Sequence, residues 1–422
     1  MTALDPRLLP DTAAVDADGV LSIGGVPVPE LAREWGTPLF VYDEEHLRAR
    51  CRAARTAFGD DAVIYATKAF LCTAMARLAH EEGLLLDVAT EGELHVALAA
   101  GVPADRCVLH GNNKSPGELA VALAAGVRHV VVDSFDEMDR IESLVAAGSP
   151  APRVQVRVTP GVHVHTHEYV STGQDDSKFG FNLGNGDALR AVERARASTA
   201  MELVGIHCHI GSNVFAVANF ADAFRVMTGF FAGLDLPEIT LGGGLGVAYT
   251  NEEHAPTLAE WADVVRAATE GLDARVLVEP GRAIVASAAV TVYTVGTVKR
   301  IDGVRTYVAV DGGMSDNPRP VLYGSGYETC DPRRTLADRP DRARVVGRHC
   351  ESGDVLVDDA RLPVGVAPGD LLVTPVTGAY GYSMANNYNK VPRPAVVFVR
   401  GGRSRLVVRR ETMDDLLRLD QP

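Results

Sequence analysis

Lysine is rare in this chain, and one lysine stands where a strand would end. Among the 422 residues, lysine occurs only at positions 68, 114, 178, 299 and 390. Lys68 follows the apolar run AVIYAT. An inward lysine among apolar neighbours has a lowered pKa and can form a Schiff base, although a strand-end lysine can also be simply solvated. The other four lie in loops or in the β-rich second part of the chain and are weaker candidates for an amine nucleophile.

Two glycine-containing segments follow later apolar runs. GGGLG spans residues 242–246 and EPGR spans residues 279–282. Glycines allow backbone N–H groups to approach phosphate oxygens, and a helix N-terminus adds a favourable dipole. The three glycines could instead form only a tight turn. A phosphate site combined with Lys68 predicts pyridoxal phosphate (PLP), with the lysine on its aldehyde and the glycines on its phosphate.

Acidic and imidazole side chains accompany these segments. Glu279 could face the pyridine nitrogen of PLP and keep it protonated, or could form a structural ion pair with an arginine. His207 and His209 are two residues apart, so they are expected on one side of a strand, with Cys208 on the other. The histidine pair could ligate a metal, stack on a cofactor ring, or line the interior as hydrogen-bonded side chains.

Short apolar runs alternate with Ala/Leu-rich helical segments between residues 39 and 285. Eight β-type runs are found, at 63–68, 84–89, 107–111, 129–134, 154–160, 203–211, 238–244 and 275–282. This pattern predicts an α/β fold with a (β/α)8 barrel over 39–285. The active site of such a barrel lies at the C-terminal ends of the strands. The polar residues and glycines at those ends are Lys68, Asp87, His110, Asp133, Arg157, His207, His209, Gly242, Gly243, Gly244, Glu279 and Arg282.

A different pattern follows residue 285. Apolar β-type runs separated by Gly, Pro and Asp predict a second, mostly antiparallel β domain over 286–422, to which residues 1–38 are expected to contribute. This region contains HCESGD at 349–354, in which a cysteine beside an acid could donate a proton, although a single cysteine more often packs. The polar insertion at 161–184 follows the fifth barrel strand and is expected to be a functional loop.

Composition excludes several classes of protein. The formal net charge is −14 without a basic run, which argues against binding to nucleic acid or to an anionic membrane. No apolar stretch of ~18 residues is found, and the first residues lack the pattern of a signal peptide. The six cysteines are scattered with no CxxC pair, which predicts a reduced cytoplasmic protein without a structural metal site.

The motifs together resemble those of the diaminopimelate decarboxylases, PLP-dependent enzymes of fold type III that are related to ornithine and arginine decarboxylases. The matching segments follow the family order from about residue 20 to residue 412. They are YATK (65–68), DVATEGEL (87–94), HGNNKS (110–115), THEYVSTG with SKFGF (166–181), HCHIGS (207–212), GGGLG (242–246), EPGRAIV (279–285), DGGMSDNPRPVLY (311–323), HCESGD (349–354) and GAYGYSMANNYN (378–389).

The resemblance implies a role for each matching residue. For the cofactor, it makes Lys68 the Schiff-base lysine, places His209 on the pyridine ring and Glu279 at the ring nitrogen, and assigns the phosphate to Gly244, Ser212 and the segment that contains Pro280, Gly281 and Arg282. For the substrate, it assigns the distal carboxylate to Arg282, Arg319 and Tyr323 and the distal ammonium to Glu351, and it places Tyr380 beside the cofactor. It also makes Cys350 catalytic and brings Cys350 and Glu351 into the site from the other subunit of a homodimer.

The implied reaction is decarboxylation of meso-2,6-diaminopimelate at its D-centre to L-lysine and CO2, the last step of lysine biosynthesis. A decarboxylase of a related amino acid would use the same motifs and stays open. An amino-acid racemase has the sequence KANAYGHG where this chain has KAFLCTA, and a PLP carrier protein lacks the second domain. A metal-dependent barrel hydrolase would use His207 and His209.

Overall fold

The computed structural model describes residues 4–162 and 176–421. The strands, in chain order, are β1 (Ala14–Val15), β2 (Leu21–Ile23), β3 (Val26–Pro27), β4 (Leu39–Asp43), β5 (Ile64–Ala66), β6 (Leu85–Val88), β7 (Cys107–Leu109), β8 (His129–Val132), β9 (Arg153–Thr159), β10 (Phe181–Asn182), β11 (Glu202–His207), β12 (Glu238–Thr240), β13 (Arg275–Leu277), β14 (Ala289–Ile301), β15 (Arg305–Val310), β16 (Asp341–Val346), β17 (Val355–Leu362), β18 (Leu371–Pro375), β19 (Ala395–Arg400) and β20 (Arg403–Val408). The helices are α1 (Val28–Trp35), α2 (Glu44–Phe58), α3 (Thr73–Glu81), α4 (Glu91–Ala99), α5 (Pro116–Ala125), α6 (Phe135–Ala146), α7 (Asp187–Ala197), α8 (Val217–Phe231), α9 (Leu258–Ala268), α10 (Arg282–Val285) and α11 (Arg319–Tyr323).

The chain divides into two compact units. Residues 51–247 and 255–283 form the first, which we call the barrel unit, and the remaining described residues form the second, which we call the sheet unit. Within the described ranges, no helix combines the length and the apolarity that a bilayer span requires.

The barrel unit contains eight parallel strands, as the apolar runs predict. Their order is β5-β6-β7-β8-β9-β11-β12-β13, and the short β10 pairs with β9 outside this path. The two ends of the sheet meet at a parallel bridge between Val63 and Val278, where the Ile64 N–H donates to the Val278 carbonyl at 2.8 Å. Because this contact closes the sheet, the predicted (β/α)8 fold is confirmed. One buried side chain from each of five strands forms a core cluster: Ile64, Leu85, Val108, Val131 and Leu277.

Local sequence signals explain where the barrel helices begin and end. Ser115 precedes α5. Its hydroxyl oxygen accepts from the Glu118 N–H, and its own N–H donates to the Glu118 carboxylate, so the helix begins with a complete capping box. The same helix ends at Gly126, whose φ of 76° is the left-handed conformation that glycine adopts without strain. These signals fix the point at which the chain enters and leaves the helical layer around the strands.

The sheet unit is built on a mostly antiparallel sheet, as predicted. Its strand order is β17-β16-β15-β14-β4-β19-β20, and β18 also pairs with β14. The β15–β16 and β4–β19 pairs are parallel and the others are antiparallel. A separate small sheet joins β1, β2 and β3.

The segment Leu39–Asp43, expected at the start of the barrel domain, pairs in the sheet of the other unit. As β4 it lies between β14 and β19, with all five residues buried, and therefore belongs to the sheet of the second unit. The domain bounds 39–285 and 286–422 stay predictions, because strand pairing does not determine where the chain could be cut into independently folding parts.

Candidate active site

The lysine after the first barrel strand lies in a single turn of 3-10 helix, Thr67–Ala69. The Thr67 hydroxyl donates to the Asp87 carbonyl at 2.6 Å and ties this turn to the end of β6. The Lys68 side chain is exposed, which differs from the apolar surroundings that the sequence suggests. The charge of Lys68 nevertheless affects a buried neighbour. Burial is the largest cause that lowers the pKa of His209, and the charge of Lys68 is the next largest.

The glycines after β12 form a tight cradle. A Cβ on Gly243 would collide with the carbonyl oxygen of Glu279, and a Cβ on Gly244, whose φ is 111°, would collide with that of Gly211. Beside this cradle, the Arg282 guanidinium donates to the Ser212 hydroxyl at 2.9 Å. One predicted phosphate residue from the segment after each of strands six, seven and eight therefore lies in one connected region: Ser212, Gly244 and Arg282.

His209 is held in one orientation by the same cradle. The Gly243 N–H donates to its Nδ1 at 3.3 Å. Burial, followed by the charges of Lys68 and Arg157, lowers the pKa of His209 well below its ordinary value. The imidazole is therefore neutral with its hydrogen on Nε2, and an uncharged flat ring is suited to stacking on a cofactor.

Glu279 is a buried carboxylate between two imidazoles. Its Oε2 lies 3.0 Å from His207 Nε2, and its Oε1 lies 3.1 Å from His110 Nε2. Within the described residues, Oε1 accepts no aligned hydrogen bond. A buried carboxylate oxygen that accepts no hydrogen bond can accept one from a protonated ring nitrogen. Glu279 therefore fits its predicted place opposite the pyridine of PLP.

His207 and His209 make separate contacts. The strand β11 ends at His207, and the Nδ1 of His209 accepts from the Gly243 N–H at 3.3 Å. That both imidazoles lie on one side of the strand stays a prediction. His207 instead joins His110 and Glu279 in a buried cluster whose ligand-type atoms lie within 4.8 Å of one another. Such a set suits zinc by residue type, and both Nε2 atoms contact the carboxylate of Glu279.

The sheet unit contains the other predicted residues. Arg319, at the first position of α11, is buried, with 3% of its surface exposed. Its Nε donates to the Tyr327 hydroxyl and its Nη2 to the Ser325 hydroxyl, both at 3.0 Å. The guanidinium carbon lies 4.7 Å from the centre of the Tyr249 ring and 5.7 Å from that of Tyr323. Tyr380 has a φ of 59°, a strained value for a tyrosine.

The HCESGD segment forms a turn that hydrogen bonds of Asp354 and His349 hold in place. Asp354 accepts from the Met314 N–H at 2.6 Å and from the His349 N–H at 2.8 Å, while His349 Nε2 lies 2.8 Å from the Ser315 hydroxyl. Cys350 and Glu351 at the tip are exposed. The other five cysteines are buried, and burial raises the pKa of Cys208 to about 12. Cys350 is therefore the cysteine whose exposure suits a role in catalysis.

Two features of the barrel were not evident from the sequence. Lys114, expected in a loop, is buried and pairs with Glu137 at 2.7 Å, while its ammonium also donates to the carbonyls of Gly111 and Val131. The contact of His110 with Glu279 joins residues 169 positions apart, and nothing in either motif signals it.

Of the predicted loop 161–184, residues 163–175 lie outside the described ranges, and the Gly180 N–H donates to Asp133 at 3.0 Å.

A barrel with a lysine after its first strand, a glycine cradle after its seventh and a buried glutamate after its eighth defines a PLP-dependent enzyme of the barrel type. Comparison with known families agrees, since residues 44–286 match the pyridoxal-dependent decarboxylase, pyridoxal binding domain.

Relatives extend the match over nearly the whole chain. A diaminopimelate decarboxylase from Actinosynnema pretiosum is 50% identical over 410 residues, covering 95% of this chain and 92% of that relative. One from Corynebacterium efficiens is 45% identical over 435 residues, covering 99% and 95%. The crystal structure of diaminopimelate decarboxylase from M. jannaschii in complex with L-lysine aligns with a TM-score of 0.91 at 32% identity, covering 98% of each chain. The chain belongs to the diaminopimelate decarboxylase family, whose members are PLP-dependent carboxy-lyases.

Proposed function

We propose that this protein decarboxylates meso-diaminopimelate at its D-centre and releases L-lysine and CO2, the last step of lysine biosynthesis. Membership of the family supports the reaction class, and the names of its relatives support the substrate. The observation that carries the choice of substrate is the environment of Arg319 in the sheet unit.

Arg319 is a buried cation whose protein partners are neutral. Tyrosine and serine hydroxyls accept its two hydrogen bonds, and none of the ion pairs in the described ranges includes it. A buried guanidinium usually has a carboxylate partner, because an uncompensated buried charge is costly. A substrate with a carboxylate on its distal carbon supplies that partner, with the bidentate geometry that arginine favours.

The distal carbon of diaminopimelate bears an ammonium as well as a carboxylate. We assign the carboxylate to Arg319 with Tyr323 and Arg282, and the ammonium to the exposed Glu351. Lysine and ornithine lack the distal carboxylate, so either of them would leave Arg319 without its anion in a closed site, at a cost of roughly 1–3 kcal/mol.

The residues of the barrel unit orient and protonate the reacting groups. When bound, PLP supplies an electron sink for the electron pair that the departing CO2 leaves on Cα. Lys68 would hold the aldehyde group of PLP, the neutral His209 would stack on its ring, and Glu279 would keep the ring nitrogen protonated. The phosphate would be held by Ser212, Gly244, Arg282 and the backbone of Pro280 and Gly281, with Tyr380 near the cofactor. The Cys350 thiol then donates a proton to Cα.

We further propose that the protein is a cytoplasmic homodimer in which Cys350 and Glu351 serve the site of the other subunit. Both residues project from a turn of the sheet unit, whereas the cofactor lysine lies in the barrel unit. The five buried cysteines and the net charge of −14 suit a reducing, crowded compartment in which solubility matters.

A panel of amino acids tests the substrate directly. Purified protein with PLP is incubated with meso-diaminopimelate, L,L-diaminopimelate, lysine, ornithine and arginine, and released CO2 is measured against a Lys68→Ala control. The proposal expects CO2 from the meso compound and at least ~10-fold lower kcat/KM for lysine and ornithine, following the cost of the unpaired arginine. Equal turnover of lysine or ornithine would refute it and favour the related amino acid instead.

A further inference from the structure

The buried cluster of His110, His207 and Glu279 joins three ends of the barrel. His110 follows β7, His207 is the last residue of β11, and Glu279 lies two residues beyond β13. Their exposed fractions are 6%, 1% and 5%. His207 Nε2 lies within hydrogen-bond distance of Oε2 of Glu279, at 3.0 Å, and His110 Nε2 contacts Oε1 at 3.1 Å, so each oxygen of the carboxylate faces one imidazole.

Charges around the cluster decide which imidazole carries a proton. Burial disfavours a charged His110, but Asp87, 3.8 Å away, and Glu279 outweigh burial and the opposing charge of Lys68, so the pKa of His110 is raised. Burial lowers the pKa of His207, with further lowering by His110 and Arg157, and only Glu279 opposes it. The surroundings thus favour the protonated form of His110 and the neutral form of His207.

The neutral ring has only one tautomer that suits this geometry. Its Nε2 lies 3.0 Å from a carboxylate oxygen, so Nε2 must carry the hydrogen. Its Nδ1 is then a bare acceptor, and Nδ1 is buried with no hydrogen-bond partner in the described parts of the chain. Burial alone would raise the pKa of Glu279, but the N–H of His207 and the nearby His110, whose own pKa is raised, hold it well below its ordinary value.

We propose that His110 and His207 are positioning residues that hold Glu279 ionised and in one orientation toward the ring nitrogen of the cofactor. The inference rests on the function proposed above, because it assumes that Glu279 faces that nitrogen. Neither histidine needs to touch the cofactor. Both act through the carboxylate, in the way that outer partners orient a ligand and tune its basicity.

The first test uses the protein without cofactor and is independent of the substrate. NMR of protein labelled with 15N-histidine is expected to show His207 as the Nε2–H tautomer, the form that donates to Glu279. His207 as the Nδ1–H tautomer would overturn the proposal whatever the substrate proves to be.

The second test reads the ring nitrogen itself. Protein reconstituted with PLP labelled with 15N in the ring is compared with the variants His110→Leu, His207→Leu and His207→Gln, and with His95→Gln as a control on the exposed face of α4. Wild type and His95→Gln should show a protonated nitrogen, both leucine variants should move toward the unprotonated signal, and His207→Gln should restore it because the amide donates to Glu279.

Kinetics separates positioning from a general loss of structure. The leucine variants should lose ~10–100-fold in kcat with little change in KM, and His207→Gln should recover part of it. Leucine variants that fold, as judged by circular dichroism, and keep both the protonated nitrogen and wild-type kcat would refute the proposal. A substrate panel that failed while the nitrogen signals behaved as expected would refute the proposed substrate and leave the positioning role standing.

Discussion

At the scale of single residues, Lys68 carries the most specific expectation. Reduction of the holoenzyme with borohydride and peptide mapping should place the pyridoxyl group on Lys68, because this is the lysine at the end of the first barrel strand. Lys68→Ala should lose the visible absorbance of the lysine-bound cofactor and at least ~10³-fold in kcat.

The other lysines provide the controls for this experiment. Lys299→Ala, at an exposed position of β14, should leave absorbance and activity unchanged. Label on Lys114, which is paired with Glu137, or on Lys178 would show that the assignment is mistaken.

Replacement of Arg319 tests the proposed specificity for a substrate with a distal carboxylate. Arg319→Ala removes the partner of a carboxylate in a desolvated site, and kcat/KM for meso-diaminopimelate should fall on the order of 10²–10³-fold. The visible absorbance should persist, since Arg319 is assigned to substrate. Arg342→Ala, which breaks an exposed pair with Asp359, is the matched control and should have little effect. A small loss in the Arg319 variant, similar to that of the control, would remove the basis for the distal-carboxylate argument.

Residue types were readable from the sequence, whereas their partners often were not. A lysine at a strand end and three consecutive glycines after a strand point to their chemistry through local pattern. The contact of His110 with Glu279 depends on barrel closure, and the burial of Lys114 depends on a carboxylate supplied by α6. No local pattern encodes contacts that tertiary packing creates.

At the scale of elements, apolar runs bounded by glycine and polar residues located all eight barrel strands, because strands buried on both faces are apolar throughout. The segment Leu39–Asp43 is equally apolar, yet it pairs in the other sheet, between β14 and β19. A run that is apolar throughout predicts burial and carries no information about which sheet will contain it.

The loop between β15 and α11 makes stability depend on pH. Asp316 lies in this loop, is 1% exposed and accepts from the Gly313 N–H at 2.9 Å. Burial raises its pKa from 3.8 to about 7, so the unfolded chain ionises first as pH rises. The contribution of Asp316 to stability is therefore complete below pH 3.8 and is lost as pH rises through about 7.

Replacement by asparagine removes this titration. The difference in unfolding free energy between Asp316→Asn and wild type should change between pH 4 and 8 in favour of the variant, by up to ~4 kcal/mol at ~1.4 kcal/mol per pKa unit. Urea unfolding at each pH measures it, with Asp302→Asn at an exposed turn as the control. A difference that is constant over this range would mean that Asp316 is ionised in the folded protein at low pH.

At the scale of the whole molecule, the proposed dimer has a consequence for mixtures. A Lys68→Ala subunit and a Cys350→Ala subunit are each inactive alone, but a hybrid dimer contains one intact site if Cys350 serves its partner. Random exchange of equal amounts makes half the dimers hybrid with one of two sites intact, so about a quarter of wild-type activity should return. Verified exchange without recovery would place lysine and cysteine of one site on the same subunit.

Family membership was predictable at this scale because ten motifs occur in order along the chain, and the relatives bear it out at 45–50% identity. Separate pieces such as three glycines or two spaced histidines would have left several reaction classes open. Their joint order favoured a PLP-dependent decarboxylase, whereas the spacing of the two histidines alone left a metal-dependent hydrolase open.

We expect the D-centre of meso-diaminopimelate to lose its carboxyl group in this protein. The most direct measurement uses substrate with 13C in the carboxyl group of that centre alone and follows both products in the presence of PLP. All released CO2 should carry the label, and unlabelled L-lysine should form in equal amount. Label retained in lysine, or CO2 without lysine, would contradict the account.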